Sequence, residues 1–139
     1  METVTLRRTL RAEEERLRAA ITDVGAFMRA AGFDEVTVEG DAIHITNHVG
    51  LLTIDLELRR FPDAAAVLAY EQVEGIFREM TTTYGLEPEP GGETTVTART
   101  DFALDRAIVG PILDATVIKR QRRRELTAQF DYLDGLADG

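Results

Sequence analysis

Cysteine is absent from this 139-residue chain, which excludes disulfides and thiolate metal sites. Lysine is nearly absent, with Lys119 alone against fifteen arginines. No apolar run approaches the roughly 20 residues needed to span a bilayer. Met1 to Leu10 alternates polar and apolar residues without the core of a signal peptide. Stable membrane insertion is not expected, and the chain is expected to be cytoplasmic. There is no glycine-rich phosphate loop, since Gly91-Gly92 reads as a turn. Neither an H-x-H nor an H-E-x-x-H pattern occurs, and no Ser-His-Asp arrangement has recognisable context. Neither a metal nor a cofactor is expected.

Acid is what the chain has in excess. Its formal net charge is −9, which phosphate backbones repel, so nucleic acid is not an expected partner. Acidity combined with so little lysine matches a salt-adapted proteome such as a haloarchaeal one. At molar salt the Debye length falls to about 3 Å, and dense surface carboxylates become tolerable. The alternative source is the arginine bias of a GC-rich genome. Hydrophobic residues make up 44% of the chain, too many for a disordered acidic protein. The length suits one domain over residues 1–139 with a single core.

Periodicity then orders the chain. Val4, Leu6 and Leu10 alternate with polar residues, predicting a strand. Two short helices follow, over Ala12 to Ala20 and from Asp23, a candidate cap, to Gly32. Val36 and Val38 begin a strand-rich middle, with Gly40-Asp41 as a turn before Ala42 to His48. The clearest strand carries Leu52, Ile54, Leu56 and Leu58, ending at Phe61-Pro62-Asp63. Further strands are read over Ala65 to Val73, from Ile76 to Leu86, and over Thr94 to Leu104. Gly110-Pro111 then marks the start of a helix to Ala137, roughly 40 Å long. Leu113, Val117, Leu126, Phe130, Leu133 and Ala137 form its apolar stripe. An antiparallel sheet with one apolar face must cover that face. One helix cannot fill the concave side of a strongly bent sheet, and a cavity is expected beneath it.

The order of elements resembles the START-related SRPBCC superfamily. This helix-grip group contains polyketide cyclases and dehydrases, coenzyme-Q-binding proteins, lipid-transfer proteins and pollen allergens. Tyr70-Glu71-Gln72-Val73-Glu74-Gly75-Ile76-Phe77 resembles its strand–glycine–strand hairpin. Gly92-Glu93-Thr94-Thr95-Val96 resembles the loop and threonine opening the last strand, and Asp23 to Phe33 the segment after the first helix. Tyr84-Gly85-Leu86-Glu87-Pro88 stands where members often carry a large aromatic, with Tyr84 where many relatives have tryptophan. The resemblance implies an α+β fold: a curved antiparallel sheet of about seven strands, two short helices after the first, and a long C-terminal helix over the concave face. It also implies a cavity for lipids, sterols, quinones or polyketides. The group has no universal catalytic residues, so none is carried over.

Candidate cavity residues are Leu52, Ile54, Leu56, Arg78, Met80, Tyr84, Phe102, Leu113 and Val117. Their apolar members suit ordinary core packing equally well. Tyr84 offers a hydroxyl inside an apolar wall. Arg78 shares strand parity with Ile76, Met80 and Tyr84, which would bring its guanidinium to the cavity, where Glu71 or Asp101 could partner it. A bulge would instead turn it to solvent. His44 and His48, about 13 Å apart along a strand, cannot share a metal. Each suits solvent or the rim, though a general-base role stays open. Lys119, Arg120, Arg122, Arg123 and Arg124 form the densest charge cluster. On the predicted stripe, Arg120, Arg123 and Arg124 approach the apolar side, while Lys119 and Arg122 face away. Carriage of a hydrophobic small molecule is the leading expectation. A cyclase or dehydratase using His44, His48, Glu71 or Asp101 is the alternative, followed by a protein-interaction module built on the basic segment.

Overall fold

The computed structural model describes residues 1–105 and 114–137. Alternation in the first segment produces strand β1 (Glu2–Leu10), which turns Val4 and Leu10 inward. Helices α1 (Glu14–Thr22) and α2 (Val24–Arg29) follow and bury Leu17, Ile21, Val24, Phe27 and Met28. Asp23 stands between them, but its side chain makes no capping bond. Its carbonyl instead accepts the Phe27 N–H at 3.0 Å.

Six strands come next: β2 (Glu35–Glu39), β3 (Ala42–Val49), β4 (Leu52–Arg60), β5 (Leu68–Glu74), β6 (Phe77–Glu89) and β7 (Glu93–Leu104). With β1 they form one curved seven-stranded sheet, ordered β1-β7-β6-β5-β4-β3-β2 and antiparallel at each step. Hairpins connect consecutive strands from β2 to β7, so register follows the turns. Ile43 and Ile45, Ile54 and Leu58, and Val96, Ala98 and Phe102 share the inner face. The expected α+β helix-grip architecture is therefore present.

Two local irregularities matter for the interior. In the β6–β7 ladder Phe77 pairs with Leu104, but Glu79 pairs with Ala103, leaving Arg78 as an extra residue. This bulge lets Phe77 and Met80 both face inward although they are three residues apart, and it sends Arg78 to solvent. At the β5–β6 hairpin the Gln72 amide bonds both backbone groups of Phe77, donating at 2.7 Å and accepting at 3.0 Å. Gly75 lies under this clamp. A Cβ there would come within 2.5 Å of Leu56 Cδ2 and Gln72 Oε1, so the tight approach requires glycine.

Helix α3 (Ala115–Ala137) closes the inner face. Asp114 caps its start, accepting the Val117 N–H on Oδ1 at 3.0 Å. Gly110, Pro111 and Leu113, from which the sequence predicts the helix to begin, lie outside the described residues. The buried face of α3 is Ile118, Arg122, Glu125, Leu126, Gln129, Phe130 and Leu133. That stripe keeps helical spacing, but three of its members are polar or charged.

Candidate functional site: a small cavity with a polar roof

Between the first half of α3 and strands β3 to β6 lies a void of about 40 Å³. Its apolar wall includes Ile45 and Val49 from β3, Ile54, Leu56 and Leu58 from β4, and Phe77 and Met80 from β6. Phe33, Ile76 and Ile118 complete that wall. The polar groups gather at the roof: Gln121, Arg122 and Glu125 from α3, with Asn47 and Tyr70 below. A drug-sized ligand fills a pocket of roughly 300–1,000 Å³, so the described void holds only a small group or a few waters.

The roof is a connected hydrogen-bond network. Arg122 Nη1 donates to Glu125 Oε1 at 2.6 Å, and Nη2 donates to Thr82 Oγ1 at 3.2 Å. Glu125 Oε2 accepts from Asn47 Nδ2 and from Gln121 Nε2, each at 3.1 Å. Thr82 also bonds the Thr100 hydroxyl at 2.8 Å across the β6–β7 ladder. Arg122 is 7% exposed and Glu125 4%, so the ion pair is buried. Burial alone opposes the guanidinium's charge, but the neighbouring groups, the hydrogen-bonded Glu125 carboxylate among them, more than offset it and hold the proton more firmly than usual. One nitrogen of the guanidinium makes no bond: Arg122 Nε is buried with no hydrogen-bond partner among the described residues.

A layer away from the void, the Tyr84 hydroxyl donates to Gln129 Oε1 at 2.6 Å. Gln129 Nε2 in turn donates to the Phe27 carbonyl at 3.1 Å. The Tyr84 ring meets Phe27 edge-on, with centroids 5.0 Å apart. Burial, and next the neighbouring Tyr70, push the Tyr84 phenol well above its ordinary range, while Arg122 and the Gln129 bond pull the other way.

Of the candidate cavity residues, Ile54, Leu56 and Met80 line the void. Tyr84 and Phe102 are fully buried in the surrounding core and do not reach it, Phe102 packing on Phe77 at 5.3 Å. Val117 is half-buried against that core. Leu52 is 42% exposed, because it opens β4 directly after the Gly50-Leu51 turn. Arg78 is exposed at the bulge, while Glu71 and Asp101 pair with Arg59 and Arg99, and Leu113 lies outside the described residues.

His44 and His48 are exposed on the outer side of β3. The His48 ring lies 3.1 Å from the Thr53 hydroxyl, and His44 Nε2 is 3.9 Å from Asp55. Glu71 faces Arg59 at 3.8 Å. Asp101 is bound by the Thr3 hydroxyl at 2.6 Å and by Arg99 at 3.0 Å. Burial pushes the Asp101 carboxyl up, but those two partners overcome it and leave it below its ordinary value. None of the four lines the void. Among the described residues no three His, Cys, Asp or Glu side chains are placed to hold a metal, and no helix is long and apolar enough to cross a membrane.

The basic segment needs a correction. Arg122, expected to face away, is the buried member, whereas Arg120, Arg123 and Arg124 are exposed and Lys119 reaches Glu2 at 3.5 Å. Aligning the helix by its apolar letters alone misplaced the stripe by part of a turn. Ile118 with Leu126 and Phe130 sets the true phase, and Arg122 and Glu125 fall on it at helical spacing. Alternation gave a second signal: Asn47 follows Ile43 and Ile45 inward on β3, and Thr82 lies between Met80 and Tyr84 on β6.

No protein family's sequence profile matches the chain, and no curated protein matches it. Solved structures do match by shape. The Zhui aromatase/cyclase from a Streptomyces species superposes with a TM-score of 0.80 at 18% identity, covering 99% of this chain and 93% of its own. A START superfamily protein from Mycobacterium smegmatis gives 0.74 at 12% identity, covering 98% and 97%. A major latex-like protein from Panax ginseng gives 0.64 at 8% identity, again covering 98% and 97%. The chain thus has the helix-grip fold of START-related proteins.

Proposed function

We propose that residues 1–139 act as one domain that binds and carries a hydrophobic small molecule beneath the first half of α3. A lipid, isoprenoid, quinone or polyketide-like molecule fits this reading. The observation that carries it is the buried Arg122–Glu125 pair on the wall of an apolar void. A buried ion pair is weak support for stability, since well-packed apolar residues of similar volume often do as well or better. Its position against a void points to a use of the polar groups. The fold shared with an aromatase/cyclase and a START superfamily protein supports the same reading.

A ligand larger than a few atoms requires the void to widen. The bond that Arg122 donates to Thr82 can be exchanged for one donated to a ligand oxygen, and Glu125 keeps its bonds from Arg122 and Gln121 if it loses Asn47, whereas the apolar contacts of Leu126, Phe130 and Leu133 cannot be exchanged. Opening therefore falls to the first half of α3.

Binding is favoured over cyclase or dehydratase chemistry. A general base must reach the ligand's proton. The four side chains first considered for that role lie away from the void. Glu125, the carboxylate on its wall, already accepts from Arg122, Asn47 and Gln121. Native mass spectrometry of protein purified from its own host, followed by solvent extraction, tests carriage. Co-purification of an apolar compound, or uptake of added quinones or lipids, is the expected result. Absence of both overturns the proposal.

A further inference from the structure

Charge on the outer side of α3 is arranged in a way that one chain alone does not use. Arg120, Arg123, Asp131 and Asp134 are exposed there, with Thr127 half-buried at their centre. Arg123 and Asp131 each lie four residues from Thr127, and Arg120 and Asp134 each lie seven. Four and seven are spacings that return to one helix face, so the five positions fall within an arc of about 80°. Reversing the direction of the helix therefore exchanges acid for base at each charged position of this stripe.

Within one chain this order is unfavourable. Like charges stand three apart at Arg120 and Arg123, and again at Asp131 and Asp134, while Arg123 and Asp131 are too far apart in sequence for an i,i+4 pair. Asp134 lies in the last turn of α3, where the helix dipole disfavours a carboxylate and no basic residue offsets it. Among the described residues Arg120, Arg123 and Asp134 make no ion pair, and Asp131 reaches Arg8 while its own side chain stays 67% exposed.

Only a surface with the opposite order satisfies both ends of the stripe, and the chain itself supplies one. An acidic protein or an anionic membrane would engage the basic end alone. The large apolar side chains exposed among the described residues, Met1, Leu51, Leu52 and Val73, lie on other elements, so this face has no anchor for a bilayer.

We propose that two copies of the chain pair antiparallel through the outer sides of α3, with the twofold axis at Thr127. Arg120 then meets the partner's Asp134 and Arg123 meets the partner's Asp131, and each contact occurs twice. Arg124, also exposed, flanks the same carboxylates. The seam is about 21 Å long and carries no large apolar side chain, so the dimer is weak and salt-sensitive. It forms whatever the void holds.

Sedimentation of the full chain tests it. Dimers should form at about 10 mM salt and dissociate at about 1 M, as the Debye length falls from about 30 Å to about 3 Å. Arg120→Asp with Arg123→Asp makes the stripe wholly acidic, and Asp131→Arg with Asp134→Arg makes it wholly basic. Each folded variant alone should be monomeric at low salt, and a mixture of the two should associate as the parent does. The fourfold exchange inverts the stripe and should restore self-association. The chain has no cysteine, so Thr127→Cys places a lone thiol on the axis. Mild oxidation should join two copies there, whereas Thr116→Cys puts the two thiols about 33 Å apart along the helices and should not cross-link. These cysteine variants keep all four charges and decide the matter if a charge reversal does not fold. A monomeric parent at low salt, a dimeric acidic or basic variant, a mixture of folded variants that fails to associate, or equal cross-linking through Thr116→Cys and Thr127→Cys each overturns the proposal.

Discussion

The two halves of α3 meet the same sheet with opposite chemistry. From Leu126 onward the helix buries Leu126, Phe130 and Leu133, together with Gln129, whose amide is satisfied at both ends by Tyr84 and Phe27. Before Leu126 it buries Ile118, Arg122 and Glu125 against a void, and Arg122 Nε has no partner among the described residues. The second half holds the helix down through area removed from water. The first half holds it through directional bonds to Asn47 and Thr82, which set geometry more than they add stability. One continuous helix thus combines an end held by apolar packing with an end held by polar bonds beside a void.

That contrast can be broken most sharply at Arg122. Replacing it by alanine strands Glu125 in the interior and should cost about 3–5 kcal/mol in urea unfolding. Exchanging Arg122 and Glu125 together for Met and Leu should cost nothing or add up to about 4 kcal/mol. A mild single variant with a damaging pair would reverse the assignment of roles. In the second half, Leu126→Ala should cost about 2–5 kcal/mol through the cavity it opens, and no companion substitution at a polar site should recover it.

Tyr84→Phe tests the join between the halves. It leaves Gln129 Oε1 without its donor and should cost about 1–3 kcal/mol. The same residue gives a pH signature. Burial keeps the Tyr84 phenol neutral in the fold, well above the unfolded value of about 10. Its contribution is therefore complete below pH about 10 and is lost as pH rises through the raised folded value. Ultraviolet difference titration should show Tyr84 ionising only as the protein unfolds, and the amplitude of that step should fall in Tyr84→Phe.

The smallest effect is expected outside. Arg8 bonds Asp131 at 2.8 Å and lies 5.6 Å from the Phe130 ring centre, but the pair is largely open to water. Asp131→Asn should change stability by less than about 1 kcal/mol, and less still at high salt. A larger loss would mean that the second half is fastened by charge rather than by apolar area.

Much of the architecture was legible. Alternation at Ile54 and Leu58 and at Val96, Ala98 and Phe102 located inward strand faces, because a pleated strand repeats every two residues. Parity failed where the backbone broke it: the bulge at Arg78 inserted one residue and turned its side chain out. Leu52 failed for another reason. It opens β4 beside the turn and remains 42% exposed, although its alternation continues that of Ile54. The site was hardest to read on α3, where apolar letters alone gave the wrong phase and hid Arg122.

The sequence by itself determined the kinds and order of elements, since strand and helix periods are properties of a few neighbouring residues. The tertiary structure alone decided the size of the void and the placement of a charge on its wall. Burial of Arg122 and Glu125 depends on partners far along the chain: Thr82 is 40 residues from Arg122, and Asn47 is 78 from Glu125. A buried polar group is tolerable only where such partners converge, and no local pattern encodes that convergence.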